Sequence, residues 1–389
     1  MTTFIHTADW QVGKPFQSIK DHAKREALRA QRITTVQSLQ QAVKTHKADF
    51  VVVAGDLFDS FTPDKSTVAA FCSAVGSLGV PVYAIPGNHD YAGPGCIWDQ
   101  EFFLREQKAS APNFHLLRLA EPVITDHAVL LPCPLLRRHE TADPFAWLYQ
   151  LDTADLPTDR PWLVLAHGST QGFSSASEED TDAAINDLNI DRLPDTIYDY
   201  IALGDWHGMK EITAKAWYSG TPEQDRFAKG DNNQPGHALV VEIPSRHAAP
   251  AVTPLDTGCI RWHELSFDLQ SDDALESFQQ SLAQQLGTRA NEDLLKLHLT
   301  GSLSLDGERR LEDLLESLEA RLLNLRLKRS IAVEPSEDEL NALTERDDPL
   351  IAAIAAELKS ASDNAHDPES AAQARLALRE LHLQLQSIS

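Results

Sequence analysis

Cysteine is scarce in this chain: Cys72, Cys96, Cys133 and Cys259 are the only four among 389 residues. No two form a Cys-x-x-Cys pair, which excludes a zinc ribbon and offers no disulfide framework. Reduced thiols in a cytosol are the plain reading. Long apolar runs are missing too: no stretch reaches the roughly 18 apolar residues of a membrane-spanning helix. Met1–Thr7 does not read as a secretory leader, so a cytoplasmic location is expected. Positive charge is also in short supply. Lys and Arg number 34 against 58 Asp and Glu, a net charge of −24. Such a chain repels polyphosphates on average, so work on nucleic acid would need a local basic surface, a metal site or a basic partner.

The charge is uneven. Residues 1–50 carry eight basic side chains against four acidic, and residues 151–200 carry two against eleven. The basic set Lys14, Lys20, Lys24, Arg25, Arg29, Arg32, Lys44 and Lys47 is the candidate for direct phosphate contact. Gly13-Lys14 lacks the rest of a P-loop, so ATP hydrolysis through one is not expected. Ser169 has no nucleophile-elbow context. Trp10, Trp206 and Trp217 are open to two readings, core packing or base stacking.

What is present is a series of short apolar runs, each ending in a polar cluster. Phe4-Ile5 leads to Asp9 and Gln11. Phe50–Ala54 leads to Gly55-Asp56, and Pro81–Ile85 to Gly87-Asn88-His89-Asp90. Trp162–Ala166 leads to His167-Gly168, and Tyr200–Leu203 to Gly204-Asp205-Trp206-His207. Continuous apolar runs suit strands buried on both faces. Helical stretches over Asp21–Lys47 and Asp64–Leu78 alternate with them, which predicts an α/β layered domain with ligands beyond the strand ends. From about 259 the pattern changes. Ile260–Leu269, Leu294–Leu303 and Ser330–Val333 read as strands, Asp273–Leu286 and Glu308–Leu325 as helices, giving a small α+β unit. Pro335 opens a tail with helices over Pro349–Ser360 and Pro368–Ser387. Their apolar positions, such as Leu350, Ile354 and Leu378, Leu381, suit docking to a partner or packing within the chain.

Asp9, Gln11, Asp56, Asn88, His167, Asp205 and His207 bring carboxylates, amides and imidazoles to one sheet edge without a thiolate. That is the ligand set of manganese, iron or zinc. A carboxylate shared by two cations places them about 3.5–4 Å apart, suited to activating water against phosphorus.

The blocks Asp9-Trp10-Gln11, Gly55–Asp59, Gly87–Asp90, Ala166-His167-Gly168 and Gly204–His207 resemble the five motifs of the calcineurin-like metallophosphoesterases. Phe4–Asp9, Ala54–Asp59 and Tyr218-Ser219-Gly220-Thr221-Pro222 resemble, within that superfamily, the DNA-repair nuclease branch typified by bacterial SbcD. The likeness covers about residues 1–245. It implies a four-layer α/β/β/α core over 1–258, an α+β cap over 259–334 and a helical tail over 335–389. It also implies two divalent metal ions, manganese or else magnesium. Asp9, Gln11, Asp56 and His207 would hold one, and Asp56, Asn88, His167 and Asp205 the other. His89 would approach the phosphate as acid or charge stabiliser, oriented by Asp90 through a carboxylate–imidazole bond.

The implied activity is 3′→5′ exonuclease and endonuclease cleavage of DNA, in repair and recombination. The implied partners are an SbcC-like coiled-coil ATPase and a second copy of the chain. A phosphodiesterase or phosphatase for small substrates, and a catalytically weak scaffold that binds DNA ends, are the alternatives. Two positions depart from the pattern: Gln11 and Asp205 each stand where the family usually has His. Each exchanges a nitrogen for an oxygen, an expected shift towards manganese or magnesium and away from zinc.

Overall fold

The computed structural model describes the chain except for residues 171–185, 228–232, 334–335, 346–347, 363–367 and 387–389. It divides into two compact units, Met1–Arg261 and Trp262–Ser389.

The first unit opens with β1 (Thr2–Thr7), α1 (His22–His46), β2 (Phe50–Ala54), α2 (Lys65–Ser77), β3 (Val82–Ile85), α3 (Glu101–Ser110) and β4 (Phe114–Leu116). Then come β5 (Val123–Ile124), β6 (Val129–Cys133), β7 (Trp162–His167), β8 (Ser169–Thr170), β9 (Asp187–Leu188), β10 (Tyr200–Gly204), β11 (Lys210–Thr213), β12 (Ala216–Tyr218), β13 (His237–Ile243) and β14 (Ala251–Asp256). Two six-stranded sheets result, in the orders β14-β13-β1-β2-β3-β4 and β11-β12-β10-β7-β6-β5. Their central strands are parallel: β1 to β4 in one, and β6, β7, β10 and β12 in the other.

Alternation along each strand sorts side chains between layers. Ile5, Val51 and Val53 face a core with Val36, Leu39, Val68 and Phe71 of α1 and α2. Their neighbours Phe4, Phe50, Val52 and Ala54 pack instead against Leu163, Leu165, Tyr200 and Ala202 of the second sheet. The outer face of that sheet, with Val164, Ala166 and Ile201, is covered by Phe145, Leu148 and Tyr198. Among the described residues this last layer holds 3₁₀ turns, such as Leu148–Gln150 and Ile190–Arg192. Both ends of α1 and the start of α2 follow capping chemistry. Asp21 and Asp64 accept N–H bonds from Lys24 and Thr67, and Lys47 stops α1 in the left-handed conformation.

The interior between the sheets tapers. At the strand starts Phe4 stacks on Phe50 with ring centres 5.2 Å apart, and meets Tyr200 edge-on at 5.6 Å. Towards the strand ends the same cluster contains Ala8, Ala54 and Ala202. A Cβ on Gly204 would lie 1.9 Å from the Ala54 carbonyl oxygen, so only glycine lets the two backbones close there. Aromatics hold one end open and small residues close the other, where the polar clusters lie.

The second unit contains β15 (Arg261–Leu269), α4 (Ala274–Leu286), β16 (Asp293–Leu303), α5 (Leu305–Arg321), β17 (Asn324–Val333), α6 (Glu337–Thr344), α7 (Pro349–Ser362) and α8 (Pro368–Gln386). The first five form a three-stranded sheet whose leucines meet Leu275, Phe278, Leu311 and Leu315. The expected helix to Leu325 ends at Arg321, because Leu325 pairs with Leu295 as part of β17. The α6 helix has no counterpart among the expected elements. It is secured by a capping box in which Ser336 and Glu339 satisfy each other's backbone N–H. Pro335 lies outside the described residues.

Candidate metal centre

The five polar clusters meet at the carboxyl ends of β1, β2, β3, β7 and β10. Beyond β1 and β2 the two loops stay zipped. Asp9 N–H donates to Gly55 O at 3.1 Å, Gln11 N–H to Asp56 O at 2.9 Å, and Val12 N–H to Leu57 O at 2.9 Å. This zipper needs left-handed backbone at non-glycine residues: Asp9 at φ 53°, Gln11 at 40° and Asp56 at 54°, with Asp205 at 98° in the facing sheet. Conformations of that kind cost of order 1–3 kcal/mol each and persist where surrounding bonds over-determine them. Close approach completes the fit, since a Cβ on Gly87 would lie 2.2 Å from Asp56 Oδ1.

One ligand atom from each of Asp9, Asp56 and His167 lies within 4.8 Å of the others, and all three residues are buried. Around His167 Nε2 stand Asn88 Oδ1 at 3.2 Å, Asp56 Oδ1 at 3.6 Å and Asp205 Oδ1 at 3.8 Å. The other ring nitrogen, Nδ1, is 2.8 Å from Ala54 O, a bond to the opposite sheet that aims Nε2 into the cluster. Asp205 N–H donates to both oxygens of Asp9 at 3.2 Å, and Ser169 Oγ donates to Asp205 Oδ2 at 3.1 Å. His207 is oriented by a residue outside the motifs. Its Nδ1 lies 2.9 Å from Asp225 Oδ1, leaving Nε2 towards Gln11.

The electrostatics are those of a cation site. Burial pushes the Asp9 carboxyl up to about 6, with Asp56 and Asp205 adding to it against His207 and His167. Burial opposes the charged form of His167, yet Asp56, Asp9 and Asp205 together push it up to about 9. Burial likewise works to raise Asp56 and Asp225, but neighbours reverse both: His167 and His89 for Asp56, His207, Lys14 and Arg32 for Asp225. Buried oxygens and imidazole nitrogen gathered around one point match the chemistry of a divalent cation.

Three expectations change. Asp90 is fully buried, but its carboxylate accepts the backbone N–H groups of Gly87 at 2.7 Å, Leu57 at 2.8 Å and Phe58 at 3.1 Å. It shapes the two loops instead of orienting His89, whose Nδ1 lies 2.9 Å from Asp59 O. Burial, then Asp56, pushes the Asp90 carboxyl up to about 7. Gln11 turns its amide oxygen away from the cluster, to Lys14 Nζ at 2.7 Å, because an ammonium can only donate. Its NH₂ faces Asp56 Oδ2 at 3.4 Å and His207 Nε2 at 3.3 Å.

The basic run does not form one phosphate-facing surface. Arg32 is buried and donates to the carbonyls of Trp10, Glu223 and Asp9 and to Thr221 Oγ1, at 2.7–3.0 Å. Lys14 pairs with Asp59 and Asp225. Arg29 pairs with Glu26 and Asp64. Trp10 is core, its indole N–H bonded to Thr7 Oγ1. Glu223, like Asp225, escaped sequence reasoning. It accepts from Thr35 Oγ1 at 2.6 Å and ties α1 to the loop after β12. The only signal was their place after Gly220-Thr221-Pro222.

Comparison with known proteins gives the same outline. The family model of the calcineurin-like phosphoesterases matches residues 2–212. SbcD, the smaller-lettered half of the name of the SbcCD nuclease, is the relative found in Escherichia coli strain K12: it is 29% identical over 253 residues, covering 56% of this chain and 60% of that protein. Its counterpart from Escherichia coli O157:H7 matches to the same extent. The chain thus spans less than two thirds of the length of these relatives. A crystal structure of the protein TT1561 of Thermus thermophilus aligns at 12% identity and a TM-score of 0.40, over 66% of this chain and 99% of that one. The chain belongs to the calcineurin-like phosphoesterase family.

Proposed function

We propose that this protein is a metal-dependent DNA nuclease of the SbcD type, hydrolysing phosphodiester bonds and working with an SbcC-like ATPase. The observation that carries this reading is the buried convergence of Asp56, Asn88, His167 and Asp205 at the ends of facing sheets. The likeness to SbcD of the SbcCD nuclease points the reading to DNA. Asp56, Asn88, His167 and Asp205 would hold a divalent cation, manganese in preference, with Asp9 beside them. When bound, the cation supplies Lewis acidity towards a phosphoryl oxygen and lowers the pKa of water.

The chain's own groups do the rest. Asp205 N–H and the Asp9 carboxylate lock the two sheets in register at the site. His89 is half-buried at the rim, its Nε2 4.0 Å from Asp56 Oδ2. With Nδ1 towards Asp59 O, Nε2 faces the cluster to meet a phosphate or give a proton to the leaving oxygen. An ATPase partner would also supply the basic surface that a net charge of −24 lacks.

The test is digestion of end-labelled duplex and single-stranded DNA with manganese, magnesium, zinc or chelator. Manganese-dependent cleavage is expected, lost in Asp56→Ala together with bound metal. His89→Ala should lower cleavage by about 10²–10⁴-fold and leave metal content unchanged. Hydrolysis of bis-p-nitrophenyl phosphate without DNA cleavage, with or without the partner, would point to a small-substrate phosphoesterase instead.

A further inference from the structure

The two expected metal positions are not equivalent. Around His167 Nε2 the neighbouring atoms are oxygens of Asn88, Asp56 and Asp205, all able to ligate. At the position shared by Asp9, Gln11, Asp56 and His207, Gln11 presents N–H groups. An amide NH₂ has no lone pair for a cation and repels one. Turning the amide over would set its NH₂ against Lys14 Nζ, donor against donor at 2.7 Å.

Lys14 is itself held in place. Its ammonium has three N–H donors and three acceptors: Gln11 Oε1, Asp59 Oδ1 at 3.3 Å and Asp225 Oδ2 at 2.9 Å. Asp225 also bonds His207. Four side chains around this position therefore satisfy one another, and a fixed positive charge stands beside it.

We propose that this chain binds one divalent cation, at Asp56, Asn88, His167 and Asp205, and that the Gln11–Lys14 pair closes the second position and supplies a protein-borne positive charge there. The inference rests on the metal-dependent reading above and narrows it.

Counting metal tests it without reference to activity. Full-length protein equilibrated with manganese chloride and desalted is measured by elemental analysis and electron paramagnetic resonance. One manganese per chain with an uncoupled six-line signal is expected. The Gln11→His, Lys14→Met double variant supplies an imidazole and removes the ammonium, so it should take up two, with an exchange-coupled signal. Two tightly held ions and a coupled signal in the unaltered protein would overturn the proposal. A folded double variant that still holds one would overturn the role given to Gln11 and Lys14. No bound manganese in the unaltered protein would instead sink the phosphoesterase reading itself.

Discussion

At the scale of single residues, the site is made of side chains whose identities are plain in the sequence and whose orientations are not. Gln11 is expected to offer oxygen and offers N–H, because Lys14, three residues on, takes the oxygen. Asp90 is expected to hold an imidazole and holds three backbone amides. In both cases the deciding partner is a donor brought close by folding. His6 illustrates how burial sets a titration. It lies between Tyr200 OH at 2.9 Å and Leu203 O at 3.2 Å, and burial pushes it from 6.5 down to about 3. The unfolded chain keeps the ordinary value near 6.5. Below that pH the unfolded state binds the proton first, so stability from this group is complete above 6.5 and drains away as pH falls towards 3. The loss is up to about 1.4 kcal/mol per pH unit. Urea midpoints of His6→Gln should therefore fall less steeply between about pH 6 and 4 than those of the unaltered protein. Parallel slopes would refute this.

At the scale of elements, the taper between the sheets explains why five strand ends converge. Bulky rings at the starts of β1, β2 and β10 and small residues at their ends tilt the layers together, and Gly204 marks the tightest point. Gly204→Ala would drive a methyl to 1.9 Å from Ala54 O and 2.9 Å from His167 Nδ1. Overpacking of this kind costs about 1–3 kcal/mol, and here it should also loosen manganese. Calorimetry of binding and unfolding would check both, and normal affinity in a destabilised variant would separate the taper from the metal site. The helix α1 contributes at the same scale. Arg32, counted among the candidate phosphate contacts, is spent on the Asp9, Trp10 and Glu223 carbonyls. Helical periodicity hints at this, since Leu28, Arg32, Val36 and Leu39 share the buried face.

For the whole molecule, the phosphoesterase unit and the unit after Arg261 have separate cores. A chain ending at Arg261 is expected to fold and to hold as much manganese per molecule as the full protein. Circular dichroism and elemental analysis would check it, and an unfolded or metal-free fragment would refute it. Net charge acts at this scale too. Lys14, Arg29 and Arg32 are engaged inside the chain, so DNA must be drawn by the metal, by the remaining cations or by a partner.

Apolar runs ending in Gly-Asp, Gly-Asn-His-Asp and Ala-His-Gly already specified an α/β layered core, because strands buried on both faces need continuous apolar sequence and each run names its own polar end. The motif spacing carried the donor set as well. Asp225 and Glu223 lay beyond any motif, and α6 depends on a capping box between Ser336 and Glu339. Only the tertiary structure decided the left-handed turns at Asp9, Gln11 and Asp56, the partner of Asp90 and the direction of the Gln11 amide. Those depend on which donor or acceptor arrives from a distant segment, and a linear chain does not record that distance.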